Sequence, residues 1–108
     1  MREPCVYILS SGSNATLYIG VTSNLLTRLD QHRNSEAKGF SRRYGTSVLV
    51  WYERHPTMAT AIQREKSLKR WPRAWKLELI EALNPTWEDL TSTLLEDGER
   101  WRRADEMS

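Results

Sequence analysis

The stretch that decides the fold is residues 5–21, CVYILSSGSNATLYIGV. Its two short runs, Val6–Leu9 and Leu17–Val21, are rich in residues that favour β-strands, and a small polar segment separates them. This pattern predicts a β-hairpin with a loop longer than two residues. If the loop is centred in the polar segment, Tyr7 and Tyr18 lie roughly opposite each other and share one face.

Beyond the hairpin, the pattern predicts three helices, a third strand and a short last helix. They are a helix from an N-cap at Ser23 or Asn24 to about Arg33, a strand at Val48–Tyr52, a helix from Pro56-Thr57 to about Trp71, a helix at about Arg73–Leu83, and a short helix after a capping box of Thr86 and Asp89. The order β-β-α-β-α-α predicts an α+β domain, one pair of layers built on a small antiparallel sheet. We expect a domain at residues 1–90 and a tail at 91–108 that is partly helical and then frayed.

The helix after Pro56 has a carboxylate in the middle of its apolar stripe. The apolar stripe of this helix is formed by Met58, Ala61, Ile62 and Leu68. The next helix has an apolar stripe formed by Leu77, Ile80 and Leu83. Glu65 falls within the first stripe, and an unpaired buried charge is costly. Two interpretations remain open: Glu65 binds Mg²⁺, which accepts one carboxylate together with water and substrate oxygens, or it forms an ion pair with Lys69.

Composition indicates one compact domain with a basic body. The 108 residues include 39% apolar residues and a single cysteine, which excludes an internal disulfide framework. Residues 1–85 have a charge balance of +6 and residues 86–108 a balance of −4. A basic domain suits a polyanion, although an ordinary solvated surface explains the charge equally simply. No segment resembles a signal peptide or a membrane span, so we expect a cytoplasmic protein.

Several residues could serve phosphodiester chemistry, and each also has an ordinary structural explanation. A tyrosine, with a pKa near ~10, accepts a proton only beside positive charge or a metal. Arg28 could hold a phosphate with its planar guanidinium, and His32, four residues on, lies along the same edge of its helix. Gly20 either lets a backbone approach a phosphate or forms a tight turn.

The tryptophans could stack on unpaired bases. Packing in the core or between helices is the simpler explanation for Trp51 and Trp75.

These residues together resemble a known family. Cys5-Val6-Tyr7 and, ten residues on, Tyr18-Ile19-Gly20 resemble the two halves of the GIY-YIG motif. The family's remaining motif positions match Arg28, His32, Glu65 and Asn84. The resemblance covers roughly residues 4–90 and is strongest to the small stand-alone bacterial endonucleases of UPF0213 type. Cys5 replaces the family's leading glycine, and we expect a modest packing change from this.

The resemblance implies a three-stranded antiparallel sheet flanked by helices and a metal-dependent endonuclease. Glu65 would bind Mg²⁺ or Mn²⁺, Arg28 would bind the phosphate, and one of Tyr7 and Tyr18 would act as general base with assistance from His32. Asn84 would hold structure near the site. The expected contacts to the nucleic-acid backbone are Gly20, Lys38, Arg42, Arg43, Lys66, Lys69 and Arg70.

We expect no separate targeting domain, because 108 residues suit one compact domain. We therefore expect DNA cleavage that selects structure or reads sequence weakly, or targeting by a partner protein, in a monomer or weak homodimer; DNA versus RNA stays open. One alternative is a non-catalytic nucleic-acid-binding module with the same fold. Another is an interaction domain whose acidic tail covers its basic face.

Overall fold

The computed structural model describes residues 3–11, 16–37 and 48–96. Its elements are β1 (Cys5–Ser10), β2 (Leu17–Thr22), α1 (Leu25–Ala37), β3 (Val48–Arg54), α2 (Met58–Arg70) and α3 (Arg73–Leu83), followed by a short helical segment at 91–96. The predicted α+β class and the element order are confirmed. None of the described helices combines the length and apolar character that crossing a membrane requires.

The three strands form one antiparallel sheet in the order β2-β1-β3. All six residues of the central strand β1 are buried, as expected for a strand covered on both faces. The register to β3 shifts after Ile8, which pairs with Trp51, whereas Leu9 pairs with Leu49. Val50 is therefore the extra residue of a bulge, and its carbonyl needs a partner outside the β1–β3 ladder.

Side-chain caps set the starts of two helices where the sequence places them. The Asn24 side-chain oxygen accepts a hydrogen bond from the Thr27 backbone N–H at 3.2 Å, at the start of α1. The Thr57 hydroxyl accepts one from the Thr60 N–H at 3.1 Å, at the start of α2. Both contacts satisfy an N–H that has no partner within its helix.

The sheet is covered on both faces, so the domain has three layers and the single pair of layers expected from the sequence is wrong. One cluster joins the β1 residues Val6 and Ile8 to α2 and α3, and the second joins β1 to α1 and the 91–96 segment. The first comprises Val6, Ile8, Ile19, Val50, Trp51, Ala61, Leu68 and Ile80. The second comprises Cys5, Tyr7, Leu9, Leu25, Leu29, Leu49 and Leu94. Alternate β1 residues thus point to opposite layers.

Three apolar residues assigned to helix stripes lie at the surface. Met58 and Ile62 are each 37% exposed and Leu83 is 57% exposed, whereas Ala61, Leu68 and Ile80 are fully buried. Each helix therefore presents a narrower buried edge than its apolar residues suggest, because only the residues nearest the sheet reach it.

The expected capping box at Thr86 is wrong. The chain turns there, with Trp87 at a φ of 57°, and helical structure resumes at residues 91–96. The Asp89 carboxylate accepts a hydrogen bond from the Thr91 N–H at 3.1 Å instead. Leu94 is fully buried in the second cluster, so the packed structure continues past residue 90.

Candidate active site

The hairpin register makes the two tyrosines diagonal neighbours. Tyr7 pairs with Gly20 and Tyr18 pairs with Leu9, so the tyrosines, expected to lie roughly opposite each other, are offset by two residues in register. A shift of two keeps both side chains on one face of the sheet. Their rings lie with centroids 6.2 Å apart, which preserves the shared aromatic patch.

Gly20 makes room for the Tyr7 ring. A Cβ placed on Gly20 would lie 2.5 Å from both Cζ and the hydroxyl oxygen of Tyr7 and 2.9 Å from its Cε1. Gly20 lies inside β2, which continues to Thr22, so the expected tight turn at this glycine is wrong. The missing side chain lets the Tyr7 ring lie across the neighbouring strand. Contact between Gly20 and a phosphate stays a prediction.

Helix α1 brings Arg28 and His32 to the same patch. Leu25 and Leu29 are buried and anchor the helix on the sheet, which turns the adjacent edge toward the tyrosines. The Arg28 Nε–H donates a hydrogen bond to the Tyr7 hydroxyl at 3.4 Å. The His32 ring packs edge-on, its centroid 5.3 Å from that of Tyr18 and 6.5 Å from that of Tyr7. We call Tyr7, Tyr18, Arg28 and His32 the tyrosine cluster.

The two tyrosines of the cluster have different environments. Tyr7 is 1% exposed and Tyr18 is 39% exposed, so only Tyr18 presents a large surface to solvent. Burial raises the pKa of Tyr7 above its ordinary value, and the hydrogen bond from Arg28 acts in the opposite direction. Hydrogen bonds to Tyr7 and then Tyr18 raise the pKa of Arg28, which keeps the guanidinium a permanent cation. The tyrosine cluster thus holds a neutral Tyr7 phenol beside the permanent positive charge of Arg28.

Glu65 belongs to the helix that packs on the opposite face of the sheet from Tyr7. It shares its helix face with the buried residues Ala61 and Leu68, which pack with Val6 and Ile8, whereas Tyr7 packs in the opposite cluster. The structure therefore brings four of the five predicted catalytic residues together and places Glu65 on α2, which packs against β1 and β2.

The partner of Glu65 in the structure is a lysine. Lys69 Nζ lies 3.3 Å from Glu65 Oε1, and the two side chains are 55% and 16% exposed respectively. No group of three or more His, Cys, Asp or Glu side chains that could hold a metal occurs among the described residues. A single carboxylate such as Glu65 is nevertheless compatible with Mg²⁺ if water and phosphate oxygens supply the remaining ligands.

Asn84 joins α3 to the bulge of β3. Its side-chain amide donates to the Val50 carbonyl at 3.1 Å and to the Glu88 carbonyl at 2.8 Å, and its side-chain oxygen accepts from the Glu88 N–H at 3.0 Å. The side chain thus satisfies the carbonyl that the bulge leaves out of the ladder. These contacts give Asn84 a structural role at β3. In the sheet, β1 lies between β3 and β2, the strand that carries Tyr18.

The remaining predicted site residues divide between exposed positions and undescribed ones. Lys66, Lys69 and Arg70 are exposed on α2, where a polyanion can reach them. Lys38, Arg42 and Arg43 lie outside the described residues.

Cys5, at the position of the motif's leading glycine, is fully buried. Burial raises the pKa of its thiol to about 11. The thiol therefore remains protonated near neutral pH and is a poor nucleophile.

One tryptophan does not lie where the sequence predicts it. Trp51 is 4% exposed, as expected of a core residue, whereas Trp75 is 54% exposed and packing between helices does not bury it. A signal was available: Trp71 and Trp75 are interleaved with lysine and arginine in REKSLKRWPRAWK, residues 64–76. Aromatic residues among cations are typical of nucleic-acid-binding surfaces.

Comparison with known proteins defines the class. The model of the GIY-YIG catalytic domain matches residues 3–78, a range that contains the tyrosine cluster and Glu65. The chain therefore belongs to the GIY-YIG family, a family of nucleases that act on nucleic acid. No solved structure shows significant similarity to it.

Within that family, the similar curated proteins are of UPF0213 type. A UPF0213 protein of Oceanobacillus iheyensis is 34% identical over 76 residues, which cover 70% of this chain and 87% of the relative. One from Natronomonas pharaonis is 36% identical over 69% of this chain and 87% of the relative. One from Autographa californica nuclear polyhedrosis virus is 39% identical over 72% and 76%. The chain is a UPF0213-type GIY-YIG protein.

Proposed function

We propose that this protein is a metal-dependent endonuclease that hydrolyses phosphodiester bonds of DNA, selecting structure more than sequence. The observation that carries the proposal is the tyrosine cluster, in which a phenol and an arginine share a hydrogen bond of 3.4 Å beside a second tyrosine and a histidine. A cation among proton-bearing groups suits phosphate binding coupled to proton transfer.

Arg28 binds the scissile phosphate in this proposal. Its side chain is half-buried, and the hydrogen bond to Tyr7 occupies Nε. Guanidinium N–H groups can donate in pairs to phosphate oxygens. The positive charge also offsets the negative charge that develops on the phosphoryl group as water attacks. Tyr7 orients Arg28 for both tasks.

One of the two tyrosines, ionised to its phenolate, accepts the proton of the attacking water and becomes a phenol, with His32 assisting. Tyr18 is the member that solvent reaches and Tyr7 the member that the guanidinium contacts. Burial opposes ionisation of Tyr7, whereas Arg28 favours it, so additional positive charge beside the cluster favours proton acceptance. Comparison of Tyr7→Phe with Tyr18→Phe assigns the base: the variant that lacks it loses the ascending limb of the pH–rate profile.

Glu65 would hold Mg²⁺ or Mn²⁺ as its one protein carboxylate. The bound metal would supply charge stabilisation at the phosphate and the leaving oxygen. Lys69 competes for the same carboxylate, since it already contacts Oε1 at 3.3 Å. The Lys69 side chain is 55% exposed, and an exposed ion pair contributes only about 0–1 kcal/mol, so substrate and metal can separate this pair.

The second candidate function is a nucleic-acid-binding module without cleavage. The observation that favours it is the position of Glu65, on the helix that covers the opposite face of the sheet from Tyr7 and paired with a lysine. The basic balance of residues 1–85 would serve this function as well as the first.

Cleavage of flapped, branched, single-stranded and plain duplex DNA with Mg²⁺ or Mn²⁺ distinguishes the two. We expect metal-dependent cutting by the wild type, lost in Arg28→Ala and Glu65→Gln. Glu96→Gln is the control, because Glu96 is exposed in the 91–96 segment. Circular dichroism and thermal melting confirm that each variant is folded. Binding without cutting by the folded wild type under all conditions would establish the module instead.

A further inference from the structure

Two tryptophans meet at the surface where α2 passes into α3. Trp75 is 54% exposed, and its ring packs edge-to-face against Trp71 with centroids 5.8 Å apart. Together with Glu78 and Leu79 they line a shallow, open hollow of about 460 Å³. We call these four residues the tryptophan hollow. It has room for a planar ring laid against Trp75.

One wall of the hollow is held in place. Trp71 packs against the first core cluster, and the guanidinium carbon of Arg64 lies 5.3 Å from its ring centroid. Arg64 is itself held by Glu53, with Nε 3.1 Å from Oε1. The core cluster and Arg64 thus hold the Trp71 ring in place. A planar ring that stacks on the exposed face of Trp75 therefore binds beside a tryptophan that is already ordered, and ordering this side chain costs no binding free energy.

The positively charged residues around the hollow favour binding of a polyanion. Residues 64–76 contain six lysines and arginines and one carboxylate, Glu65. Lys66, Lys69, Arg70 and Arg73 are exposed. A phosphate backbone is the macromolecular partner that such a surface attracts most strongly. Aromatic faces set among cations are how proteins hold single strands, the rings stacking on bases while the cations follow the phosphates.

We propose that the tryptophan hollow holds one unpaired base of a single-stranded nucleic acid, stacked on Trp75, with its phosphates on the flanking lysines and arginines. A base within a duplex is already stacked and paired and does not enter. The Glu78 carboxylate accepts a hydrogen bond from the exocyclic amino group of the base, which favours cytosine over thymine. The proposal rests on the proposed nuclease function in one respect, namely that the single strand bound here is part of the substrate.

Binding measured by fluorescence anisotropy tests the proposal, with the metal omitted and in the Glu65→Gln background so that no strand is cut. We expect Trp75→Ala to weaken binding of a short oligodeoxycytidylate on the order of tenfold, and to change binding of a duplex of equal length by less than about twofold. Trp75→Phe retains most of the affinity. Leu83→Ala is the matched control, since it truncates an apolar side chain of α3 that is 57% exposed.

Four further outcomes complete the test. Glu78→Gln should reduce the preference for oligodeoxycytidylate over oligothymidylate. Equal affinity of Trp75→Ala and the parent protein for the single strand would overturn the proposal. The proposal would also be overturned if Trp75→Ala changed the sedimentation of the protein but not its binding of the single strand, because the hollow would then be a contact between copies of the chain. Wild-type protein that binds the strand through Trp75 but never cuts DNA counts against the nuclease proposal alone.

Discussion

Replacing Gly20 with alanine should destabilise the fold and disable the tyrosine cluster together. The added methyl carbon would lie 2.5 Å from Cζ and from the hydroxyl oxygen of Tyr7. Tyr7 is 1% exposed and packs among Cys5, Leu9 and the α1 leucines, so the ring has little space in which to retreat. Relief requires the ring or β2 to move, and either movement disturbs the Tyr7–Arg28 hydrogen bond.

The expected size of the effect follows from two opposing contributions. Overpacking a well-packed site costs about 1–3 kcal/mol, and the contact at Gly20 belongs at the upper end because it involves ring atoms. Alanine is favoured over glycine within a strand by roughly 0.5–1 kcal/mol. The net loss should therefore be about 1–2 kcal/mol, a fall in Tm of roughly 5–15 °C for a domain of this size.

Urea unfolding followed by tryptophan fluorescence measures the loss, and a double-mutant cycle assigns it to the ring. Tyr7→Leu removes Cζ and the hydroxyl, so Gly20→Ala in that background should be neutral or slightly stabilising. A Gly20→Ala variant as stable as the wild type, or one with an equal loss in both backgrounds, would refute the steric argument. Cleavage by the folded fraction of Gly20→Ala should also fall, since Arg28 loses its positioning partner.

Three further predictions concern the bulge, the Glu65–Lys69 pair and the thiol. Asn84→Ala removes three hydrogen bonds, two of them to carbonyls, and should cost about 2–3 kcal/mol in chemical denaturation; a loss no greater than that of Thr86→Ala, at an exposed neighbouring position, would contradict the structural role. Lys69→Met frees Glu65 and should lower the Mn²⁺ concentration for half-maximal cleavage a few-fold, with a stability change below about 1 kcal/mol; an effect equal to that of Lys66→Met would argue against competition for the carboxylate. Cys5 should resist a thiol reagent near neutral pH and react at once in denaturant. Because its pKa is raised from 9.0 to about 11 on folding, its contribution to stability is complete below pH 9 and lost as pH rises toward 11, which unfolding measured across that range would detect; rapid native labelling would show that the buried position is wrong.

Much of the fold was predictable because its signals are local. The β-forming runs on either side of the polar loop, Asn24 and Thr57 as helix caps, and Pro72 after α2 act within a few residues, and each appears where the pattern predicts it. The spacing of Arg28 and His32 places them on one helical edge for the same reason. Sequence alone thus determined the elements, their order and four neighbours of one site.

Only the tertiary structure decided how those elements meet. The hairpin register depends on the whole loop, so the pairing of Tyr7 with Gly20 could not be read from spacing, and neither could the contact that requires a glycine there. Which apolar residues of a helix reach the core depends on how closely the helix approaches the sheet, and this left Met58 and Ile62 partly exposed. The same long-range packing put Trp75 at the surface and put α2, the helix that carries Glu65, on the face of the sheet opposite Tyr7, because an amphipathic pattern specifies a helix face but not the layer that it covers.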